Sequence, residues 1–238
     1  MLEQQYKETI LDLLDRTVSS ERDKIETGAA EIAASLQNDG FVHAFGSGHS
    51  AMIAKEITGR AGGLVPVNMI VDPAEGMAER VEGYGATLLQ DYADQYGLEE
   101  GEVMIVISTS GRNPAPLEIA LEANDRGLYT IAITSVQYSQ SVESRHSSGK
   151  KLFEVADLAL DNHVPAGDAT VEIEEGGQKA GPASTLTGVF LINTMILRSI
   201  EKMKEEGFEP PILRSMNLDG SDEHNRELME KYKSRLAQ

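Results

Sequence analysis

Cysteine is absent from the 238-residue chain, which excludes disulfides, thiolate metal sites and thiol nucleophiles together. Cations are scarce: 21 Lys and Arg against 39 Asp and Glu leave a formal charge of −18. Duplex nucleic acid and anionic membrane surfaces are both held by cationic side chains, so neither is an expected partner. No apolar run nears the ~18 residues of a membrane span, and the opening MLEQQYKETI has no signal-peptide core, so a soluble cytoplasmic protein is expected. The familiar glycine fingerprints are missing too. Gly46-Ser47-Gly48-His49-Ser50 lacks the third glycine of a dinucleotide loop, no Gly-Lys-Ser/Thr marks a nucleotide P-loop, and Gly-x-Ser-x-Gly does not occur.

What is present suits an α/β chain. Apolar residues make up 40%, enough for a core, and the acidity reads as solubility before any acidic-partner role. Leu2, Tyr6, Ile10, Leu13, Leu14 and Val18, then Ile25, Ala29, Ile32, Ala33 and Leu36, recur at three- and four-residue steps. They predict a helix over 2–37, stopped by Asn38-Asp39-Gly40. That helix either packs on a partner subunit or lies across its own sheet.

Two strand–loop–helix units follow. In the first, 41–45 is a strand, 46–50 a tight loop and 51–61 a helix, with a further buried segment from Leu64. In the second, 102–107 is a strand, 108–113 its loop and 115–126 a helix closed by Gly127; strands over 128–133 and near 153–160 come next. Continuous apolar strands alternating with helices mean a parallel sheet covered on both faces. The serine-rich stretch 134–151 is either a linker or a functional loop. Residues 161–183 read as a loop containing a short strand, 184–206 as a buried helix, and Ser221 as the N-cap of a last helix. One domain over 1–238 is expected, with an N-terminal helical segment (1–39), an α/β core (40–206) and a C-terminal extension (207–238).

Both hydroxyl-rich loops lie directly after a strand and before a helix. In an open parallel sheet that is the carboxyl edge, where ligands collect near the topological switch. Glycines let backbone approach a ligand, and a helix start offers unpaired N–H donors at a positive dipole end. The hydroxyls of Ser47, Ser50, Ser108, Thr109 and Ser110 add donors without charge. This chemistry suits a phosphate monoester.

Phe45-Gly46-Ser47-Gly48-His49-Ser50, Ser108-Thr109-Ser110-Gly111-Arg112-Asn113 and Pro182-Ala183-Ser184-Thr185 resemble the three signature regions of the SIS (sugar isomerase) family, over roughly residues 40–205. The resemblance implies a flavodoxin-like fold, a five-stranded parallel sheet sandwiched by helices, here with a long N-terminal helix and a C-terminal helical extension. It also implies a phosphosugar ligand and a homodimer or homotetramer. The family's phosphate contacts carried over are Ser47, Ser108, Thr109, Ser110 and Asn113, with Ser50, Arg60, Ser184 and Thr185 elsewhere in the pocket. Asn113 departs from the threonine common there, but its amide can still donate.

Ala54-Lys55-Glu56-Ile57-Thr58-Gly59-Arg60 is similar to the segment of the sedoheptulose-phosphate isomerase branch that carries a catalytic glutamate, which maps onto Glu56. An aldose–ketose isomerase needs one base to move a proton between neighbouring carbons, and a carboxylate serves. The alternative for Glu56 is an i,i+4 ion pair with Arg60. Met52 and Asn193 stand where that branch has histidines, so neither a metal nor a cofactor is expected.

Each imidazole has its own expectation. His49, inside the first loop, is a candidate for assisting ring opening, and so is His224, if it plays the part that resemblance to the glucosamine-phosphate synthase isomerase domain implies, where a neighbouring subunit lends a histidine. His43 is expected to be packed and hydrogen-bonded, and His163 solvated. His146 either orders a loop over substrate or is solvated. Glu75, Glu79 and Glu82 share one face of a predicted helix; if that face meets the pocket, Glu82 rivals Glu56 as the base. The functional expectation is a phosphosugar isomerase, with a non-catalytic phosphosugar-sensing module as the alternative.

Overall fold

The computed structural model describes residues 1–174 and 176–237. Helix α1 spans Leu2–Gln37, as its apolar stripe predicts. Five strands form one parallel sheet: β1 Val42–Gly46, β2 Val67–Ile70, β3 Val103–Ile107, β4 Tyr129–Thr134 and β5 Leu158–Asp161, in the order β2-β1-β3-β4-β5. β1 and β3 are buried at every residue, because helices cover both faces.

On one face α1, α2 (Ala51–Glu56) and α7 (Ser184–Glu205) share an apolar core built around Ile32, Leu36, Ile53, Leu191 and Met195. On the other, α3 (Tyr84–Tyr96), α4 (Pro114–Asp125) and α6 (Leu152–Val155) pack around Phe45, Leu89, Val106 and Ile119. The chain runs from β1 outward to β2 and then crosses back to β3 on the other side of β1. The switch therefore lies between the loops after β1 and β3, where an α/β sheet opens a crevice.

Several local expectations need correcting. The helix predicted over 51–61 ends at Glu56, and Arg60 lies beyond it. Residues 73–80 form successive turns rather than a helical face, because Glu75 (φ 49°) and Gly76 (φ 87°) leave the right-handed region. The strand near 153–160 splits into α6 and β5. The serine-rich stretch contains a short helix, α5 (Val136–Gln140). The short strand near 171 pairs as an antiparallel hairpin of β6 (Ala169–Glu172) and β7 (Lys179–Pro182). Glu175 lies outside the described residues. α8 spans Ser221–Tyr232 with Gly220 at its N-cap, so Ser221 is the first helical residue and its buried hydroxyl caps nothing. α8 packs through Tyr232 on Phe41 and Val65, at the edge where the strands begin.

A buried ionic network holds that edge. Glu102, 2% exposed, accepts from the Phe41 and Glu99 amides at 3.0 and 2.9 Å and pairs with Arg235 at 2.7 Å and His43 Nε2 at 3.0 Å. His43 is buried and hydrogen-bonded, as expected, with Nδ1 2.7 Å from the Tyr92 hydroxyl. Burial pulls the imidazole below its usual pKa against the opposing pull of Glu102. Burial alone would raise the Glu102 carboxyl, but bonds from His43 and Arg235 outweigh it and hold it down to about 2.

Candidate functional site

The loop after β1 turns because Gly46 has no side chain: a Cβ there would meet the carbonyl carbon and oxygen of Ser50 at 2.4 Å. A single 3₁₀ turn, Gly48–Ser50, leads into α2. The Ser47 hydroxyl is 3.1 Å from Asp72 Oδ2 and donates to it. Asp72, two residues past β2, also accepts from the Ala74 amide (2.9 Å), the Gly76 amide (2.8 Å) and the Tyr84 hydroxyl. Burial would raise its pKa, but these donors, Tyr84 first, hold the carboxyl below the usual range. The Gly48 and His49 amides find no acceptor among the described residues, and the His49 side chain is exposed.

The loop after β3 presents a denser set of donors. Ser108 Oγ accepts the Gly111 amide at 3.2 Å, a turn that Gly111 closes at φ 58°. The amides of Thr109, Ser110, Arg112 and Asn113 donate to nothing among the described residues, and neither do the hydroxyls of Thr109 and Ser110. Successive unpaired amides of this kind make an anion-binding concavity.

The start of α4 contributes less than the sequence predicts. Pro114 and Pro116 carry no N–H, and the Ala115 amide is taken by the Glu79 carbonyl at 3.1 Å. Asn113 sits at the N-cap without bonding the helix, and its Oδ1 accepts from Arg145 Nη1 at 2.9 Å.

Two segments flank this loop and are tied to each other. The Arg145 amide bonds the Arg112 carbonyl at 2.8 Å, and the Ser147 amide bonds Glu82 Oε1 at 2.5 Å. Glu118, nearly buried, accepts the Gly83 and Gly85 amides, and His146 Nε2 lies 3.7 Å from it. The bond to Ser147 keeps the Glu82 carboxyl below its ordinary range. Sequence reasoning missed Asp72, Arg112, Arg145 and Glu118 altogether; an arginine within a serine-rich loop was the available signal for two of them.

Glu56 is paired with Arg60. It opens onto a surface depression of about 540 Å³ lined by Met52, Lys55, Met69, Thr185 and Val189, and onto a second of about 280 Å³ with Arg60 and Asn193. The serine loops line neither. Ser50 lies in the 3₁₀ turn that leads into the helix of Glu56. Ser184 begins α7, where its hydroxyl and amide both donate to Asp168.

His224 is not near either loop of its own chain: on α8, its Nε2 lies 3.0 Å from the Ile212 carbonyl at the opposite edge of the sheet. His163 is only partly solvated. Held at φ 55°, it lies 2.8 Å from Ser20 Oγ and between Glu21 and Asp161, whose carboxylates gather it onto α1. No described helix is long and apolar enough to cross a membrane.

The parallel sheet, its switch point and the two hydroxyl-bearing loops define a class of α/β sandwich also seen in solved structures. The fold resembles the phosphoheptose isomerase of Francisella tularensis (TM-score 0.59, 18% identity, 82% of this chain and 95% of that one). It also resembles the Vibrio vulnificus NanR protein complexed with ManNAc-6P (TM-score 0.54, 12% identity, 95% and 67%). At such identities the likeness shows the fold alone. The chain itself belongs to the SIS domain family, whose profile matches residues 5–135. It is 42% identical over 241 residues to a UPF0309 protein of Geobacillus kaustophilus, covering 98% of this chain and 94% of that protein. It is 40% identical over 243 residues to a UPF0309 protein of Shouchella clausii, covering 98% and 97%.

Proposed function

We propose that this chain is a cytoplasmic, single-domain phosphosugar isomerase acting on an aldose or amino-sugar phosphate, with the phosphate held where β1 and β3 end. One observation carries this reading: four amides and two hydroxyls without partners among the described residues cluster in the loop at 108–113 beside the topological switch. Ser108, Thr109, Ser110 and Asn113 take the phosphate oxygens, and the Ser47 loop closes the site through its Gly48 and His49 amides. The solved neighbours that are phosphoheptose isomerases, and the one complexed with ManNAc-6P, support a phosphosugar as the ligand.

Glu56 then moves the proton between the sugar carbons, once a ligand hydroxyl takes Arg60 from it, and His49 assists ring opening. Glu82 does not compete for this part, because its carboxylate holds the Ser147 amide. The partly exposed apolar residues Met52, Leu186, Phe190 and Leu197 beside this depression support a homodimer or homotetramer. Only such an assembly could bring His224 of a neighbouring subunit to the sugar.

A second reading, a sensing module that binds without chemistry, is favoured by the Glu56–Arg60 pair and by Met52 and Asn193 in place of histidines. A thermal-shift panel of hexose, N-acetylhexosamine, pentose and heptose phosphates identifies the ligand, since binding raises apparent stability by mass action. Ser108→Ala with Ser110→Ala should abolish the shift; an unchanged shift refutes the loop's role. Exchange of the C2 proton of the hit, followed by NMR and lost in Glu56→Gln, establishes the isomerase. Binding without exchange in the wild type establishes the sensor.

A further inference from the structure

Three arginines from three separate segments meet beside the proposed phosphate loop. Arg112 belongs to the loop itself. Arg145 is fixed to it twice, by its amide on the Arg112 carbonyl and its guanidinium on Asn113. Arg80 lies between Glu79, whose carbonyl takes the Ala115 amide of α4, and Glu82, whose carboxylate takes the Ser147 amide two residues beyond Arg145. Loss of hydration, then the like charges of Arg112 and Arg80, pull the guanidinium of the exposed Arg145 below its ordinary pKa, against the opposing charge of Glu79. None of the three forms an ion pair with a carboxylate among the described residues, in a chain carrying 39 acidic side chains. Arg112 Nε is buried and finds no acceptor among them either. A buried donor without an acceptor is costly and marks the place of an absent one.

The phosphate does not account for these charges. Unpaired amides and hydroxyls of the loop already supply a neutral set of donors for its oxygens, and a monoester carries between −1.5 and −2 at pH 7. Three guanidiniums leave roughly one positive charge over, the charge of one carboxylate. Guanidinium groups, planar and always protonated, hold a carboxylate through paired N–H bonds.

We propose that Arg80, Arg112 and Arg145 form a subsite for a carboxylate on the ligand, so that the substrate class is an acidic sugar phosphate and not a neutral one. This rests on the phosphosugar reading above and narrows it. Glu79 and Glu82, flanking Arg80 in sequence, keep the empty cluster from repelling itself open, and the ligand carboxylate completes the neutralisation.

The test compares dissociation constants at fixed ionic strength for 6-phosphogluconate, glucose 6-phosphate, gluconate and fructose 1,6-bisphosphate, by calorimetry on the full-length protein. The wild type should bind 6-phosphogluconate at least about tenfold more tightly than glucose 6-phosphate, as expected of charge-assisted bonds. Arg145→Gln and, separately, Arg80→Gln should erase that preference while glucose 6-phosphate binding changes less than about twofold. Two variants guard against a local effect, since only Arg145 touches Asn113. Equal loss for both phosphosugars makes the arginines phosphate ligands and overturns the carboxylate subsite, with the phosphosugar reading intact. A preference for the bisphosphate but not for 6-phosphogluconate overturns it as well. If no phosphorylated sugar binds the wild type, both readings fall together.

Discussion

Replacing Arg235 by Met removes the one guanidinium that, among the described residues, pairs with the carboxylate of Glu102 at the edge where the strands begin. The Glu102 side chain is 2% exposed and that of Arg235 17%, so solvent does little to compensate. Breaking a buried ion pair from one side costs about 3–5 kcal/mol, because the orphaned charge stays in low dielectric. The carboxyl's own titration points the same way: against burial, the bonds from His43 and then Arg235 hold it down to about 2. The guanidinium also lies 4.7 Å over the Phe41 ring and bonds the Tyr96 carbonyl at 3.1 Å, which adds to the loss. Adding Glu102→Gln to the variant should return part of it, since no buried charge is then left unpaired.

The pH dependence has a definite sign. Both folded pKa values are depressed, so the unfolded chain binds more protons and stability falls as pH falls. The His43 contribution is lost below about 6.5, and that of Glu102 from about 4.5 down towards 2. Urea unfolding midpoints for the wild type and Arg235→Met between pH 8 and pH 3 measure both effects. A loss below about 1 kcal/mol at pH 7, or a wild-type profile flat across that range, refutes the reasoning.

Three further outcomes are expected. Gly46→Ala drives a Cβ into the Ser50 backbone and should cost about 1–3 kcal/mol, read as a Tm lowered by several degrees, together with loss of ligand-induced stabilisation. Asp72→Ala strands the Ser47 and Tyr84 hydroxyls and the Ala74 and Gly76 amides; about 2–4 kcal/mol should be lost in urea unfolding, and a loss under 1 would remove Asp72 from the loop's support. Asp168→Ala removes the acceptor of the Ala183 and Ser184 amides and of the Ser184 hydroxyl at the start of α7 and should cost about 1–2 kcal/mol in urea unfolding at pH 7; no measurable loss would remove Asp168 from the support of that helix start.

The regular elements were legible wherever one force dominated. The stripe from Leu2 to Leu36 gave α1, and the continuous apolar runs at 42–46 and 103–107 gave the buried central strands. Helix α3 went unread although Leu88, Leu89, Tyr92 and Tyr96 repeat at helical spacing, because Gln90, Asp91, Asp94 and Gln95 make it look like loop. The turns at 73–80 passed for a helical face because carboxylate spacing says nothing about φ, and only Gly76 betrayed the break.

At the candidate site, the hydroxyls of 108–110 were visible as a cluster after a strand. The capture of the Ala115 amide by Glu79, and the gathering of Arg80, Arg112 and Arg145, were not. Both depend on segments separated by more than thirty residues meeting at one sheet edge, which no local pattern encodes.

The packing of α1 on α7 has a consequence for biosynthesis. The apolar side of α1 leaves the ribosome well ahead of α7, which covers it and is translated only after nearly the entire core. At about 5–20 residues per second that interval is on the order of ten seconds, during which Ile25, Ala29, Ile32 and Leu36 lack their α7 partners Leu191, Ile192 and Met195. Nascent chains released before Met195 should therefore carry a sticky, incompletely covered helix, and they are the forms on which chaperones would be found.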